Sequence, residues 1–238
     1  VAPLVEVWGF GLSQRDAVTD IIIDSILQFV GYEKVSLKHN RLVKEDNRLT
    51  INFNAIAQGY AVDYIGTYLR SKGITSFLID VGGEVLASGT KPNDIPWRIA
   101  IEKPSDDLPA ARDLSDSYVQ KYAQVIINIS NRAVATSGDY RTFYLNEEGI
   151  KVSHTINPKT GKPVDHSLLS ATVITDNCAK ADAWATAFMV LGVDSAKKLL
   201  KTNDELEGFL IYSDNNGHTV TYATENIKRQ LEEITREK

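Results

Sequence analysis

Cysteine is almost missing from this chain: Cys178 is the only one in 238 residues. That excludes an internal disulfide, a Cys-x-x-Cys redox pair and a thiolate zinc cage. An oxidising compartment is neither demanded nor excluded. No stretch reaches the ~18 apolar residues of a membrane span. The most apolar run, Ile21 to Val30, is broken by Asp24, Ser25 and Gln28. Basic residues are in the minority, 26 Lys and Arg against 31 Asp and Glu, for a net charge of −5. This balance argues against a protein that tracks nucleic-acid backbones, which needs a basic stripe. It leaves room for a nucleotide ligand, which needs only local donors or a cation. Internal repeats, low-complexity blocks and Pro/Gly/Ser linkers are absent as well.

The common enzyme signatures are also missing. No G-x-G-x-x-G opens a helix after a strand. Gly161-Lys162 resembles a P-loop only superficially, because Ile156 stands at the first glycine position and Pro163 replaces Ser/Thr. There is no G-x-S-x-G elbow and no H-E-x-x-H, and the four histidines (His39, His154, His166, His218) are scattered.

What is present is an ordinary globular composition, 43% hydrophobic and 24% charged. This length buries on the order of 70% of the unfolded surface, so folding needs no disulfide or metal staple, and one domain is expected. The chain opens on Val1-Ala2-Pro3 and not on Met, which reads as a processed or truncated start with any targeting segment upstream. Helical periodicity predicts a helix over 18–30, with Gly31 as its stop. A second helix is predicted over 55–71, its core face formed by Ile56, Tyr60, Tyr64/Ile65 and Tyr68/Leu69. A third is predicted over 177–191, stopped by Gly192, then a short one over 194–201 and a charged one or tail from Thr224.

Clusters of β-branched and aromatic residues predict strands over 34–38, 41–44, 49–53, 76–81, 84–88, 97–102, 124–130, 133–136, 141–145, 151–155, 168–175, 208–213 and 218–222. Turns such as Glu147-Glu148-Gly149 and Asn215-Asn216-Gly217 separate several of them. The stretch from Lys103 to Lys121 reads as a surface loop. Strands outnumber helices and do not alternate with them, which predicts an α+β fold with mostly antiparallel sheets.

Four clusters can carry chemistry, and each also has a plain structural explanation. Asp80-Val81-Gly82-Gly83-Glu84 fits a glycine turn that brings backbone amides close to a ligand, or a simple hairpin. Thr136-Ser137-Gly138-Asp139-Tyr140-Arg141 fits phosphate-binding hydroxyls with an arginine, or an ordinary loop. In Ser153-His154-Thr155-Ile156-Asn157-Pro158-Lys159-Thr160-Gly161 a rigid turn follows His154, which suits a general base or a surface histidine. In Ala181-Asp182-Ala183-Trp184-Ala185-Thr186 the i,i+4 spacing puts a carboxylate and a hydroxyl on one helix face. Two hard oxygens with small residues between them suit Mg²⁺; a carboxylate set against the helix dipole is the alternative. Asn52-Phe53-Asn54-Ala55-Ile56-Ala57-Gln58-Gly59-Tyr60 adds small residues at the entry to a helix, fit for close backbone approach to a ligand or for core packing.

Taken together, NAIAQGYAVD, DVGGE, TSGDYR, SHTINPKTGKP and ADAWAT resemble the ApbE family of FAD:protein FMN transferases. PLVEVWGFG and PWRIAIEKP are similar to the same family, and the likeness runs from Pro3 to about Tyr222. The resemblance implies an α+β domain, 1–238, related to the tunnelling fold, which binds FAD and Mg²⁺ and attaches FMN to a Thr or Ser hydroxyl of an acceptor protein with release of AMP. It implies acceptors among the flavin-bearing subunits of Na⁺-translocating NADH:quinone reductase and Rnf pumps, and no nucleic-acid partner. It also implies export to the periplasm or the outer face of the cytoplasmic membrane, as a lipoprotein anchored through an upstream segment.

By motif position, Asp182 and Thr186 are implied metal ligands, joined by the Ala55 main-chain oxygen, with Ala185 bordering the metal through its backbone. Asn52, Gln58 and Ile156 fall at FAD contacts, and Asp80, Gly82, Gly83, Ser137 and Gly138 belong to motifs that border the flavin nucleotide. His154 is the implied base. Asn52 stands where an acidic residue is usual, and Gln58 where Lys or Glu is common. Family members begin upstream of Val1, where a Gly-x-Phe/Met-Asp stretch adds flavin contacts. Two other readings compete: an FAD pyrophosphatase using water in place of the acceptor hydroxyl, and a flavin carrier without catalysis, against which His154 and the Asp182/Thr186 pair argue.

Overall fold

The computed structural model describes residues 1–11, 18–105, 116–139, 143–146, 148–149 and 151–232. The described elements run in chain order from α1 (Ala2–Val7) and α2 (Asp20–Leu27) through the strands β1 (Val35–Lys38) and β2 (Arg41–Lys44) to α3 (Ala57–Ser71). Then come β3 (Phe77–Val81), β4 (Glu84–Ser88), β5 (Trp97–Glu102), α4 (Asp116–Tyr122), β6 (Ala123–Ile129) and β7 (Arg132–Gly138). Next are β8 (Phe143–Leu145), β9 (Lys151–Ser153), β10 (Leu168–Thr175), α5 (Cys178–Leu191) and α6 (Val193–Thr202). The last are β11 (Glu207–Ser213), β12 (Thr219–Ala223), α7 (Glu225–Gln230) and β13 (Leu231–Glu232). The chain is thus a mixed helix and antiparallel-sheet fold, and it gathers into two compact units.

The first unit holds residues 1–53 and 142–165. Leu4, Ile23, Val30 and Ile156 form its buried cluster, flanked by Val5, Trp8, Phe10 and Leu27. Two antiparallel hairpins, β1–β2 and β8–β9, belong to it. Thr19 caps α2 by accepting the Ile22 N–H, the local interaction that starts this helix where its apolar period begins.

The second unit holds residues 54–141 and 166–238. Its centre is an antiparallel six-stranded sheet in the order β12-β11-β10-β7-β4-β3. Period-2 alternation splits its side chains between two faces. Ala135, Ala171, Val173 and Leu210 pack with Ala181, Ala185, Phe188 and Met189 of α5 and with Ala196 and Leu200 of α6. Their sequence neighbours Val134, Ile174, Phe209 and Ile211 point the other way, onto Ile101, Ile127 and Ile129 of the β5–β6–β13 sheet and Ile227 of α7. The middle strands are buried on both faces, which is why 168–175 reads as an unbroken apolar run.

Four expectations change. Residues 49–53 carry the composition of a strand, yet among the described residues no strand pairs with them, and without a ladder the propensity has nothing to stabilise. The stretch 103–121, expected as a loop, ends in α4; residues 106–115 lie outside the described set. Residues 2–7, for which no element is expected, form α1, with Pro3 in its first turn. The 55–71 helix exists as α3, but its buried face is not the aromatic one. Gly59, Val62 and Gly66 are buried, while Tyr60, Tyr64 and Tyr68 are 64%, 68% and 58% exposed. Small residues win because they let backbones approach. A Cβ on Gly59 would lie 2.4 Å from the Cys178 carbonyl oxygen, and one on Gly66 would lie 2.6 Å from Leu86 Cδ2. Tyr140, Arg141 and Glu147, and the charged end over 233–238, also lie outside the described residues.

Candidate active site

Helix α5 positions the central carboxylate. Asn177 caps it by accepting the Lys180 N–H. Cys178, Ala181, Asp182, Ala185, Phe188 and Met189 form its buried face, so Asp182 is the one acid on an otherwise core-facing stripe. Asp182 Oδ2 accepts the Gly59 N–H at 3.1 Å. Burial holds this carboxyl above the usual carboxylate range, and the Gly59 bond pulls in the opposite direction. Among the described residues no cation pairs with it. One turn on, Thr186 Oγ1 lies 3.3 Å from Ser137 Oγ on β7. Ala185 is fully buried between the two turns, inside a helix whose carbonyls serve its own ladder.

This donor set bears directly on the implied Mg²⁺. A buried carboxylate holding a single hydrogen bond, with a hydroxyl one helical turn away, is a hard-oxygen pair in want of a cation. Among the described residues no group of three or more His, Cys, Asp or Glu side chains converges to hold a metal. Mg²⁺ takes one or two protein carboxylates and keeps waters and phosphate oxygens for the rest. The residues fit the ion.

The nearby glycines are placed by a hairpin. Val81 pairs with Glu84, leaving Gly82 and Gly83 as a two-residue loop with φ of +70° and +119°, a conformation that only glycine adopts without strain. Asp80 Oδ1 accepts the Gly83 N–H at 2.9 Å, so that amide serves the turn itself. Gln58, on the first turn of α3, reaches the same place: its Nε2 lies 2.9 Å from where a Gly82 Cβ would stand. Ala55 lies in the turn two residues ahead of α3, and Gly138 ends β7 opposite Ser170. The second unit therefore brings Gln58 to the Gly82 turn, Gly59 to Asp182, and Ser137 to Thr186.

Asn52, His154 and Ile156 belong to the first unit. Asn52 lines a cleft of about 1140 Å³ together with Phe29, Tyr32, Lys34 and Lys159. His154 directly follows β9, its ring 6.3 Å from that of Phe10 and nearly edge-on. The turn beyond it is rigid. Asn157 accepts the Lys159 N–H through Oδ1 and the Gly161 N–H through its carbonyl, and Trp8 Nε1 donates to the Gly161 carbonyl. Ile156 is buried with Leu4, Ile23 and Val30, so its side chain is committed to the core.

A sequence model of the ApbE family matches residues 1–210. The chain belongs to the ApbE family. Its similarity to an FAD:protein FMN transferase of Vibrio cholerae is 35% identity over 230 residues, 96% of this chain and 64% of that protein. Against the Escherichia coli K12 protein of the same name it is 33% over 218 residues, 89% of this chain and 57% of that one. The chain therefore spans about three-fifths of the length of these curated relatives. Among solved structures, the flavin transferase ApbE from Vibrio cholerae superposes with a TM-score of 0.80 at 34% identity, covering 96% of this chain and 68% of that one. An ApbE fold is thus what the antiparallel sheet and its covering helices build.

Two residues of the candidate site show their contacts only in the structure. Gly59 serves Asp182 through its backbone N–H, which no side chain advertises, and its smallness reflects the crossing of α3 against α5. Asp63 accepts the Cys178 and Ala179 N–H groups, each at 2.9 Å. Its signals are its place at the end of the NAIAQGYAVD stretch and an aspartate in a helix interior, where that residue is a poor helix former; neither tells what it holds.

Proposed function

We propose that this chain carries a Mg²⁺-dependent FMN-transfer site, which moves FMN from FAD to a Thr or Ser hydroxyl of an acceptor protein and releases AMP. The observation that carries the reading is the buried Asp182 carboxylate of α5, held by the Gly59 N–H with Thr186 one turn away. The names of the ApbE relatives support it. The bond that forms joins the acceptor oxygen to the FMN-side phosphorus, and the bond that breaks is the P–O bond to AMP. The acceptor hydroxyl proton goes to a ring nitrogen of His154, which acts as the general base. Asp182 and Thr186 would hold Mg²⁺, joined by the Ala55 main-chain oxygen, with Ala185 bordering the ion. When bound, the ion neutralises pyrophosphate charge and stabilises the leaving group. Gln58 and the Gly82 turn border the nucleotide, and Asn52 is a further FAD contact by its motif position.

By the same family logic we propose acceptors among flavin-bearing subunits of Na⁺-translocating NADH:quinone reductase or Rnf pumps. We also propose action at the periplasmic face of the membrane as a lipoprotein. Intact-mass measurement of a Thr-containing acceptor, incubated with FAD and Mg²⁺, tests the central reading. A metal-dependent FMN adduct, lost in His154→Ala, is the expected result. Free FMN and AMP without an adduct would establish a pyrophosphatase instead, and intact FAD a carrier.

A further inference from the structure

Helices α3 and α5 are joined by two polar links of opposite sense. The Gly59 N–H of α3 donates to Asp182 Oδ2 of α5 at 3.1 Å. One turn along α3, Asp63 returns the favour: its Oδ1 accepts the Cys178 N–H and its Oδ2 the Ala179 N–H, both at 2.9 Å. The links run antiparallel, 59 with 182 and 63 with 178, so each spans one helical turn on both elements. Between them the backbones are as close as they can be, since a Cβ on Gly59 would fall 2.4 Å from the Cys178 carbonyl oxygen.

Each link alone has an ordinary explanation. Cys178 and Ala179 open α5, and their N–H groups have no partner within the helix. A carboxylate placed there satisfies two orphan donors and meets the positive end of the helix dipole. That end, however, is already capped from within: Asn177 Oδ1 accepts the Lys180 N–H at 2.9 Å. What Asp63 adds is a cross-link to the helix whose first turn binds Asp182. With both carboxylate oxygens engaged, α5 can neither rotate about its axis nor slide along α3 without breaking a charge-assisted bond. Rotation is the motion that would carry Asp182 away from the Gly59 N–H. The carboxylates also crowd this end. Burial first, then the charges of Asp63, Glu84, Asp182 and Asp80, push the Cys178 thiol up.

We propose that Asp63 is a positioning residue for the metal-side carboxylate: its bidentate hold on the first two amides of α5 fixes the rotation of that helix and aims Asp182. The proposal rests on the reading of Asp182 as a metal ligand. An outer partner that orients a ligating group is worth roughly 10–100-fold in metal affinity.

The test titrates the full chain with Mn²⁺, read by the electron paramagnetic resonance signal of the free ion, in wild type, D63N, D63A, N177A and D182N, with melting temperatures alongside. D182N abolishing binding establishes the underlying reading. D63A then raises the Mn²⁺ Kd at least 10-fold. D63N, whose amide keeps one acceptor, falls between D63A and wild type and carries the test by itself should D63A fail to fold. N177A removes a cap from the same helix end without touching α3; it lowers the melting temperature but moves Kd less than 2-fold. Amide exchange supplies a metal-free readout, with the Gly59 N–H exchanging faster in D63N and not in N177A. If D182N abolishes binding while the Asp63 and Asn177 variants shift Kd alike, Asp63 is only a helix cap and the proposal is overturned. If D182N leaves Kd unchanged, the metal reading fails and takes the proposal with it.

Discussion

On the proposed function, Asp182 serves chemistry at the expense of stability. Its folded carboxyl titrates above the usual range because burial disfavours the charge. A raised acid favours the protonated form in the folded state, so its contribution is present below the unfolded pKa and is lost as pH rises through the folded one. Metal-free Asp182→Asn therefore melts higher than wild type at pH 7, and that advantage shrinks as pH falls through the carboxylate range. Calorimetry in EDTA at several pH values measures this. If the proposed function holds, the same variant loses Mg²⁺-dependent FMN transfer by at least about 100-fold, since the lost interaction acts on charge in the transition state. A variant slower than wild type and no more stable would leave burial of the charge without its cost. That Asp182 and Thr186 share one helix face was legible from i,i+4 spacing; their part in a metal site came only from the family resemblance. The contacts of Gly59 and Asp63 were not legible, because one acts through its backbone and the other on a helix more than 100 residues away in sequence.

Helix α3 shows why an element can be found while its orientation is missed. Periodicity placed a helix over 55–71, observed over 57–71, because tyrosines and aliphatics recur every turn, but hydropathy cannot weigh the gain from bringing two backbones together. Gly59 and Gly66 permit that approach, and the aromatic face stays outside, with Tyr60 and Tyr64 stacked on each other at 6.5 Å. Glycine to alanine inside a helix ordinarily stabilises by about 1 kcal/mol. Here the sign reverses. Gly59→Ala drives a methyl into the Cys178 carbonyl, a backbone atom that cannot yield, and costs about 1–3 kcal/mol. Gly66→Ala meets the far end of Leu86, which can move, and costs less. Urea unfolding of the two variants ranks them, and equal midpoints would contradict the packing argument. In the first unit, Gly161→Ala suffers twice, from a φ of +69° and from Ile23 Cγ2 at 2.4 Å. It is expected to loosen the turn that follows His154 and to slow transfer while FAD binding falls less than 3-fold.

At the scale of the molecule, the antiparallel α+β class was legible because strands cluster without alternating with helices, and the predicted bounds of β2, β4, β5 and β10 coincide with those observed. The first residues were not, since α1 takes its stability from Leu4 in a core cluster assembled from distant segments. The lone thiol offers a check on the whole. Cys178 is fully buried, its Sγ donates to the Val85 carbonyl at 3.6 Å, and burial pushes it up, so it is inert while the chain is folded. Reducing agents leave the melting temperature unchanged, and a thiol reagent at pH 8 labels native protein no faster than it opens. That inertness makes the residue a recorder. Each time α5 lifts from β4 in the presence of an alkylating agent, a covalent mark remains after the helix closes. The marked fraction in a mass spectrum then counts the openings of the helix that holds Asp182, and bound ligand lowers that count in proportion to its affinity for the closed form.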